Sequence, residues 1–348
     1  MSEKIRVLVV EDSAVAREVL AHTLNADPQI EVAGFARDGE EALVKTAELQ
    51  PTVITMDIHM PKLDGFETTR RIMETQPVPV IIVTSSANPT DVRKAFRVMD
   101  AGAVAILEKP PGPAHPGHQT LASKLVRTVK LMSEMKVVKR WRRAVAPVEA
   151  AEPIPGKIAA GQFDLIAIGA STGGPPVLHT ILNGLKKDSG LAVLVVQHIA
   201  AGFSQGLVEW LAQSTGLPVQ LAAHGVRPLP GHVYLAPDGS HLIVEKSRSL
   251  ALVQSPVENG ARPAVSRLFR SVAEVYGERA IGILLTGMGR DGAAELKLMR
   301  DRGALTIAQD RESSVIFGMP GEAVKLDAAS QILPPERIAA LLGTLAKK

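Results

Sequence analysis

The chain has no cysteine, which excludes a disulfide framework, a thiolate metal site and cysteine catalysis, and suits a reducing compartment. Aromatic residues make up only 3% of it, too few for a surface that stacks nucleic-acid bases. No apolar run reaches the roughly 18 residues of a membrane span, and the N-terminus leads from charged residues straight into a short apolar strand. A soluble, cytoplasmic protein without membrane insertion is expected. What is present is globular: 348 residues, 46% hydrophobic and 22% charged, more than one hydrophobic core usually organises. The net charge of +3 is local in origin. Lys124, Arg127, Lys130, Lys136, Lys139, Arg140, Arg142 and Arg143 against Glu134 give +7 in twenty residues, leaving the remainder at −4. A lone run of this kind reads first as a solvated helix face leading into a linker, although acidic partners are open to it.

Residues 1–125 alternate strand and helix signals. Apolar runs lie at Ile5–Val10, Ile30–Phe35, Val53–Met56, Pro79–Thr84 and Val104–Leu107, and Ala16, Val19, Leu20, Thr23 and Leu24 recur at helical spacing. Five strands with intervening helices predict an open parallel α/β sheet. A basic helix and an Ala/Pro-rich linker follow over 126–159. A second α/β series over 160–348 has strand runs at 163–168, 191–196, 218–222, 232–235, 241–244, 250–253 and 281–286. The close spacing of 232–235, 241–244 and 250–253 predicts antiparallel hairpins inserted in a mostly parallel, doubly wound sheet.

In the first domain Glu11 and Asp12 end the first strand, Asp57 ends the third, Thr84 the fourth, and Lys109 follows the fifth. Ligands of open parallel sheets bind beyond the carboxyl ends of the strands, and a flavodoxin-like order sets strands one and three side by side. Converging carboxylates call for a hard cation, and an oxygen-only set suits magnesium. Each acid could alternatively cap a helix, and Lys109-Pro110 could be a plain turn. Together, Val9-Val-Glu-Asp-Ser13, Met56-Asp-Ile-His-Met-Pro61 with Gly65, Val83-Thr84 and Glu108-Lys109-Pro110 resemble the response-regulator receiver domain. The resemblance implies that Asp57 is phosphorylated, that Glu11, Asp12 and Asp57 hold Mg2+, and that Thr84 and Lys109 sense the phosphoryl group. Glu11 stands where Asp is commoner in that family, and Ile106 where many members carry an aromatic switch residue.

In the second domain Gly169-Ala-Ser-Thr-Gly173 fits an esterase nucleophile elbow, in which glycines allow a turn that presents Ser171 at the sheet edge. A phosphate-cradling loop and a helix cap fit the same residues. The dinucleotide version of the phosphate reading requires an acidic residue at the end of the next strand; that strand ends in Gln197-His198. An imidazole there suits a general base. Ile281 to Gly292 forms a further strand and glycine-rich turn carrying Asp291, either to orient His198 or to cap the helix containing Glu295, Leu296, Leu298 and Met299.

The order Ser, His, Asp departs from that of α/β-hydrolases. Gly169-Ala-Ser-Thr-Gly-Gly174, Gln197-His198, Thr286-Gly-Met-Gly-Arg-Asp-Gly292 and Phe317-Gly-Met-Pro320 instead resemble the catalytic domain of the chemotaxis protein-glutamate methylesterase family. The receiver–linker–esterase order fits the whole chain. The resemblance implies Ser171 as nucleophile, His198 as general base, Asp291 as its orienter and the Thr172 and Met288 amides as oxyanion donors, with no cofactor for the ester reaction. After His198, Ile199-Ala-Ala-Gly-Phe203 stands where members often have Met-Pro. The expected substrates are methylated chemoreceptor cytoplasmic helices, with glutamine deamidation as a second activity, and the expected phosphodonor is a chemotaxis histidine kinase. The unphosphorylated receiver is expected to cover the Ser171 edge. A DNA-binding response regulator, prompted by Arg140–Arg143, lacks any recognition-helix pattern, and no nucleic-acid partner is expected; a dinucleotide oxidoreductase lacks the ribose-binding acid.

Overall fold

The computed structural model describes residues 4–84, 96, 98, 99, 101–134 and 162–345. The chain divides into two compact units, Met1–Ala146 and Pro147–Lys348.

In the first unit the strands are β1 (Ile5–Val10), β2 (Ile30–Ala36), β3 (Val53–Met56), β4 (Val80–Thr84) and β5 (Ala105–Glu108), interleaved with helices α1 (Ala14–Asn25), α2 (Gly39–Leu49) and α3 (Gly65–Thr75) and followed by α4 (His118–Ser133). They form one parallel sheet in the order β2-β1-β3-β4-β5, the flavodoxin-like arrangement. β3 and β4 are buried along their whole length, as parallel strands covered on both faces must be, which is why they read as unbroken apolar runs. Ser13, Asp38 and Asp64 cap α1, α2 and α3 by accepting an N–H three residues on. Glu11, Asp12 and Asp57 are therefore free of capping duty. On α4, Leu125, Thr128, Val129 and Met132 face inward, while Lys124 and Arg127 are exposed, a solvated basic face. The rest of the basic run, from Lys136 to Arg143, and the expected linker lie outside the described residues.

The second unit contains β6 (Leu165–Ala170), α5 (Gly174–Asn183), β7 (Ala192–Gln197), α6 (Ser204–Thr215), β8 (Val219–Leu221), β9 (Val233–Leu235), β10 (His241–Val244), β11 (Leu250–Val253), α7 (Val265–Val275), β12 (Ala280–Leu284), α8 (Ala293–Asp301), β13 (Leu305–Gln309), α9 (Met319–Lys325), β14 (Gln331–Leu333) and α10 (Pro335–Leu345). Seven strands form a parallel sheet in the order β14-β13-β12-β6-β7-β9-β8. The hairpin expectation is corrected in part. β10 and β11 do pair antiparallel, but as a separate two-stranded sheet; β9 lies parallel between β7 and β8 in the main sheet. Its return is made by the irregular segment 222–232, which hydrogen-bonds to β11 through Gly225 and Val226 and so replaces a crossover helix. α7 covers the sheet with an apolar face: Leu268, Phe269, Val272 and Ala273 pack with Leu165, Ala167, Leu194 and Leu284 in one buried cluster. Among the described residues no helix is long and apolar enough to cross a membrane.

Candidate active site and phosphoacceptor pocket

β6 lies between β12 and β7, and register brings their following loops together. Ala170 pairs with Gln197 and Leu284 with Gly169, so Ser171 and His198 leave adjacent strands side by side; the His198 N–H donates to Ala170 O at 2.9 Å and the Ser171 N–H to Thr286 O at 3.0 Å. The strand, turn and helix expected around Ser171 are present, with Gly173 in the left-handed region at φ +77° before α5. Gly287 is needed for close approach, because a Cβ there would lie 2.5 Å from Ser171 Cβ.

Buried amides bind these loops to one another. Gln197 Nε2 donates to Ser171 O at 2.7 Å and to His198 O at 3.0 Å. The Thr286 N–H donates to Gln309 Oε1 at 2.8 Å, and Thr286 Oγ1 donates to Thr172 O at 3.0 Å while accepting the Ile316 N–H at 2.9 Å. Among the described residues no protein group accepts the N–H of Thr172 or Met288, the two amides expected to face an oxyanion.

His198 Nε2 lies 3.0 Å from Asp291 Oδ2, close but off the ring's N–H axis. This leaves Nδ1 as the ring nitrogen available to a serine. Asp291, only 3% exposed, accepts the Val265 N–H at 2.7 Å on Oδ2 and, on Oδ1, the Ser266 N–H at 3.1 Å, Ser266 Oγ at 2.6 Å and Asn259 Nδ2 at 3.1 Å. Burial opposes the charge, but His198, Ser266 and the Val265 amide outweigh it and hold the Asp291 carboxyl at about 2. The alternative of an N-cap for α8 does not hold, since the N-cap position of α8 is Gly292, with no side-chain cap. Asp291 instead caps α7, whose own N-cap is the apolar Ala264. Asn259, Ser266 and Gln309 escaped the sequence reading because their partners are distant in the chain; a polar residue inside an apolar stretch, such as Ser266, was the available signal.

In the first unit, donor oxygens of Glu11, Asp12 and Asp57 lie within 4.8 Å of one another. Glu11 and Asp57 are buried and Asp12 is exposed. Lys109 Nζ stands 2.7 Å from Glu11 Oε2 and 3.2 Å from Asp57 Oδ2. Burial, then the Asp57 charge, raises the Glu11 carboxyl despite Lys109. Burial works against the Lys109 ammonium, but Asp57 and Glu11 prevail and raise it. Thr84 is buried, and its carbonyl accepts the Lys109 N–H at 2.9 Å. The structure thus brings Glu11, Asp12, Asp57 and Lys109 together at one sheet edge, with Thr84 tied to the lysine's backbone. A crowded, oxygen-only set of carboxylates fits a hard divalent cation.

Comparison with known proteins accords with both arrangements. A family model described as CheB methylesterase matches residues 166–342, and one described as response regulator receiver domain matches residues 7–115. A protein-glutamate methylesterase/protein-glutamine glutaminase of Syntrophus aciditrophicus is 51% identical over 346 residues, covering 98% of each chain. One from Geobacter metallireducens is 52% identical over 343 residues, covering 98% of this chain and 99% of the other. The crystal structure of the Thermotoga maritima CheB methylesterase catalytic domain superposes with a TM-score of 0.51 at 35% identity, covering 53% of this chain and 99% of that one. With relatives of this identity aligned over nearly their full length, and with both family models matched in order, the chain belongs to the CheB methylesterase family and carries a response-regulator receiver domain ahead of the catalytic part.

Proposed function

We propose that the chain is a phosphorylation-regulated serine hydrolase that removes methyl groups from glutamate γ-methyl esters of chemoreceptors, releasing methanol, and that also deamidates receptor glutamines, in chemotactic adaptation. One observation carries the reading: Ser171, His198 and Asp291 follow adjacent central strands, with the His198 ring 3.0 Å from the Asp291 carboxylate. In this reading His198 takes the Ser171 Oγ proton through Nδ1 as Oγ attacks the γ-carbonyl. The Thr172 and Met288 amides, which no protein group among the described residues accepts, stabilise the oxyanion. Collapse passes the proton from His198 to the departing methoxide; water, deprotonated by the same imidazole, then attacks the acyl-enzyme, freeing glutamate and Ser171. An amide substrate follows the same course with ammonia leaving.

The receiver's role is regulation. Asp57 accepts a phosphoryl group from a chemotaxis histidine kinase, Glu11, Asp12 and Asp57 hold Mg2+, and Lys109 and Thr84 contact the added oxygens. The cation, when bound, shields negative charge on the transferring group. A cytoplasmic location suits both the receptor's cytoplasmic helices as substrate and the cysteine-free composition. Methanol release from methylated receptor membranes, with and without a small phosphodonor and Mg2+, tests the reading. Wild-type release that Ser171→Ala abolishes is expected, with Asp57→Ala removing the phosphodonor's effect. Release unaffected by Ser171→Ala would refute the serine mechanism.

A further inference from the structure

The two oxygens of Asp291 have different neighbours. Oδ2 faces His198 and the Val265 amide, whereas Oδ1 is held by Ser266 N–H, Ser266 Oγ and Asn259 Nδ2. Ser266 is fully buried at the start of α7. Asn259 is different in kind: it is exposed, sits at φ +52° in the irregular segment between β11 and α7, and extends its amide inward to both Ser266 Oγ, at 2.9 Å, and Asp291.

That segment is fastened along its length. The Pro256 carbonyl accepts from the buried His241 Nε2 at 3.0 Å; Glu258 pairs with Arg267 and Arg270 of α7; Glu258 and Ala261 bridge around Asn259; and Ser255 O accepts from Arg262. A left-handed residue flanked by such ties costs conformational freedom, and Asn and Asp are the non-glycine residues that tolerate it best. The Asn259 amide is the one group of this strap that reaches the acid.

We infer that Asn259 is a positioning residue for the hydrolase reaction: with Ser266 it locks the rotation of the Asp291 carboxylate through Oδ1, so that Oδ2 meets the imidazole. This rests on the serine-hydrolase reading above. Side chains that orient a carboxylate which in turn orients a base act on turnover through alignment and leave ground-state substrate binding unchanged.

The charged groups around Asp291 are His198, Glu258 with Arg267 and Arg270, and Arg290 on its own loop, and the test leaves all of them in place. Full-length Asn259→Gly removes the amide without straining φ; Asn259→Asp keeps a residue suited to the left-handed region but replaces the donor with a second carboxylate. Each is measured by methanol release from methylated receptor membranes and by the rate at which a fluorophosphonate labels Ser171, alone and combined with Asp291→Ala. The expected result is a kcat about tenfold lower for Asn259→Gly and about a hundredfold lower for Asn259→Asp at unchanged KM. Labelling should slow in parallel, with no further slowing when either is added to Asp291→Ala. Wild-type labelling rates for Asn259→Asp, or the same proportional loss in the Asp291→Ala background, would overturn the assignment. A wild-type protein that is labelled but releases no methanol would count against the receptor substrate alone, because the labelling comparison still decides the role of Asn259.

Discussion

Replacing Asp291 by Asn preserves shape while removing the charge on which four donors and the His198 ring converge. Val265 N–H donates to Oδ2, beside which His198 Nε2 lies at 3.0 Å; Ser266 N–H, Ser266 O–H and Asn259 N–H donate to Oδ1. An amide must turn its NH2 toward one of these sets. Turned toward the Oδ2 side, the NH2 can donate to a neutral His198 ring nitrogen but faces the Val265 N–H; turned toward the Oδ1 side, it meets the Ser266 N–H and a Ser266 Oγ that already receives the Gly292 N–H at 3.0 Å and Asn259 Nδ2 at 2.9 Å. At least one buried donor is therefore stranded, at a cost of about 1–3 kcal/mol. The lost charge adds to this. Folding lowers the carboxyl from 3.8 to about 2, which corresponds to about 2 kcal/mol of stability. A depressed acid contributes that stability fully above its unfolded value near 4 and loses it as pH falls through 2. At pH 7 the substitution is thus expected to cost about 3–5 kcal/mol in all, and the gap between the two proteins should narrow by about 1 kcal/mol at pH 3. Urea unfolding followed by Trp210 fluorescence in a Trp141→Phe background measures both quantities, and methanol release should fall by about 10³–10⁴ in kcat. An unchanged urea midpoint at pH 7, or a gap that widens on acidification, would refute the view that this carboxylate is an anchored charge.

Ser171→Ala should eliminate methanol release while leaving the unfolding free energy from urea titration within about 0.5 kcal/mol of wild type, since the described hydrogen bonds of Ser171 run through its backbone. Gly287→Ala puts a methyl 2.5 Å from Ser171 Cβ and 2.6 Å from Met319 Sδ; a stability loss of about 1–3 kcal/mol, with a larger fall in kcat than in substrate affinity, is expected from melting curves and steady-state kinetics. In the receiver, Glu11 ionises reluctantly because of burial and then Asp57, so its charge is a penalty that appears as pH rises above the unfolded value. Glu11→Gln should raise the metal-free urea midpoint at pH 7 and weaken Mg2+ binding measured calorimetrically; a lowered midpoint would contradict this. Removing residues 1–145 should raise basal methanol release, and a truncated protein no faster than the intact one would eliminate inhibition by the receiver.

Much of this was legible because parallel strands buried on both faces advertise themselves as apolar runs, and their ends carry the chemistry. Ile5–Val10 and Val53–Met56 were located to the residue, and Asp57 follows directly. β6 begins two residues later than the run 163–168, since Phe163 is apolar but lies ahead of the ladder. Less was legible where partners are remote or segments short. β13 and β14 passed unnoticed; β14 has only Gln331–Leu333, and its central Ile332 is 49% exposed at the sheet edge. The placement of β9 failed because loop length alone was used to infer an antiparallel return, whereas the hairpin β10-β11 supplies partners for the connecting backbone. Asp291 was read as orienter or cap. Its carboxylate caps not the helix that follows but one that precedes it in sequence, and no local spacing encodes that.

The capping of α7 by Asp291 also bears on how such a chain can change over evolutionary time. The described hydrogen bonds of Ser171 run through main chain, and it can be exchanged with little structural consequence, whereas exchange of Asp291 leaves a helix that covers the sheet without its N-terminal acceptor. Inheritance of the two residues is therefore uncoupled: a descendant that gave up hydrolysis to serve only as a binding protein would be free to drift at the serine while still being held to the aspartate. In such a lineage the surviving acid would testify to the fold, and the serine alone to the chemistry.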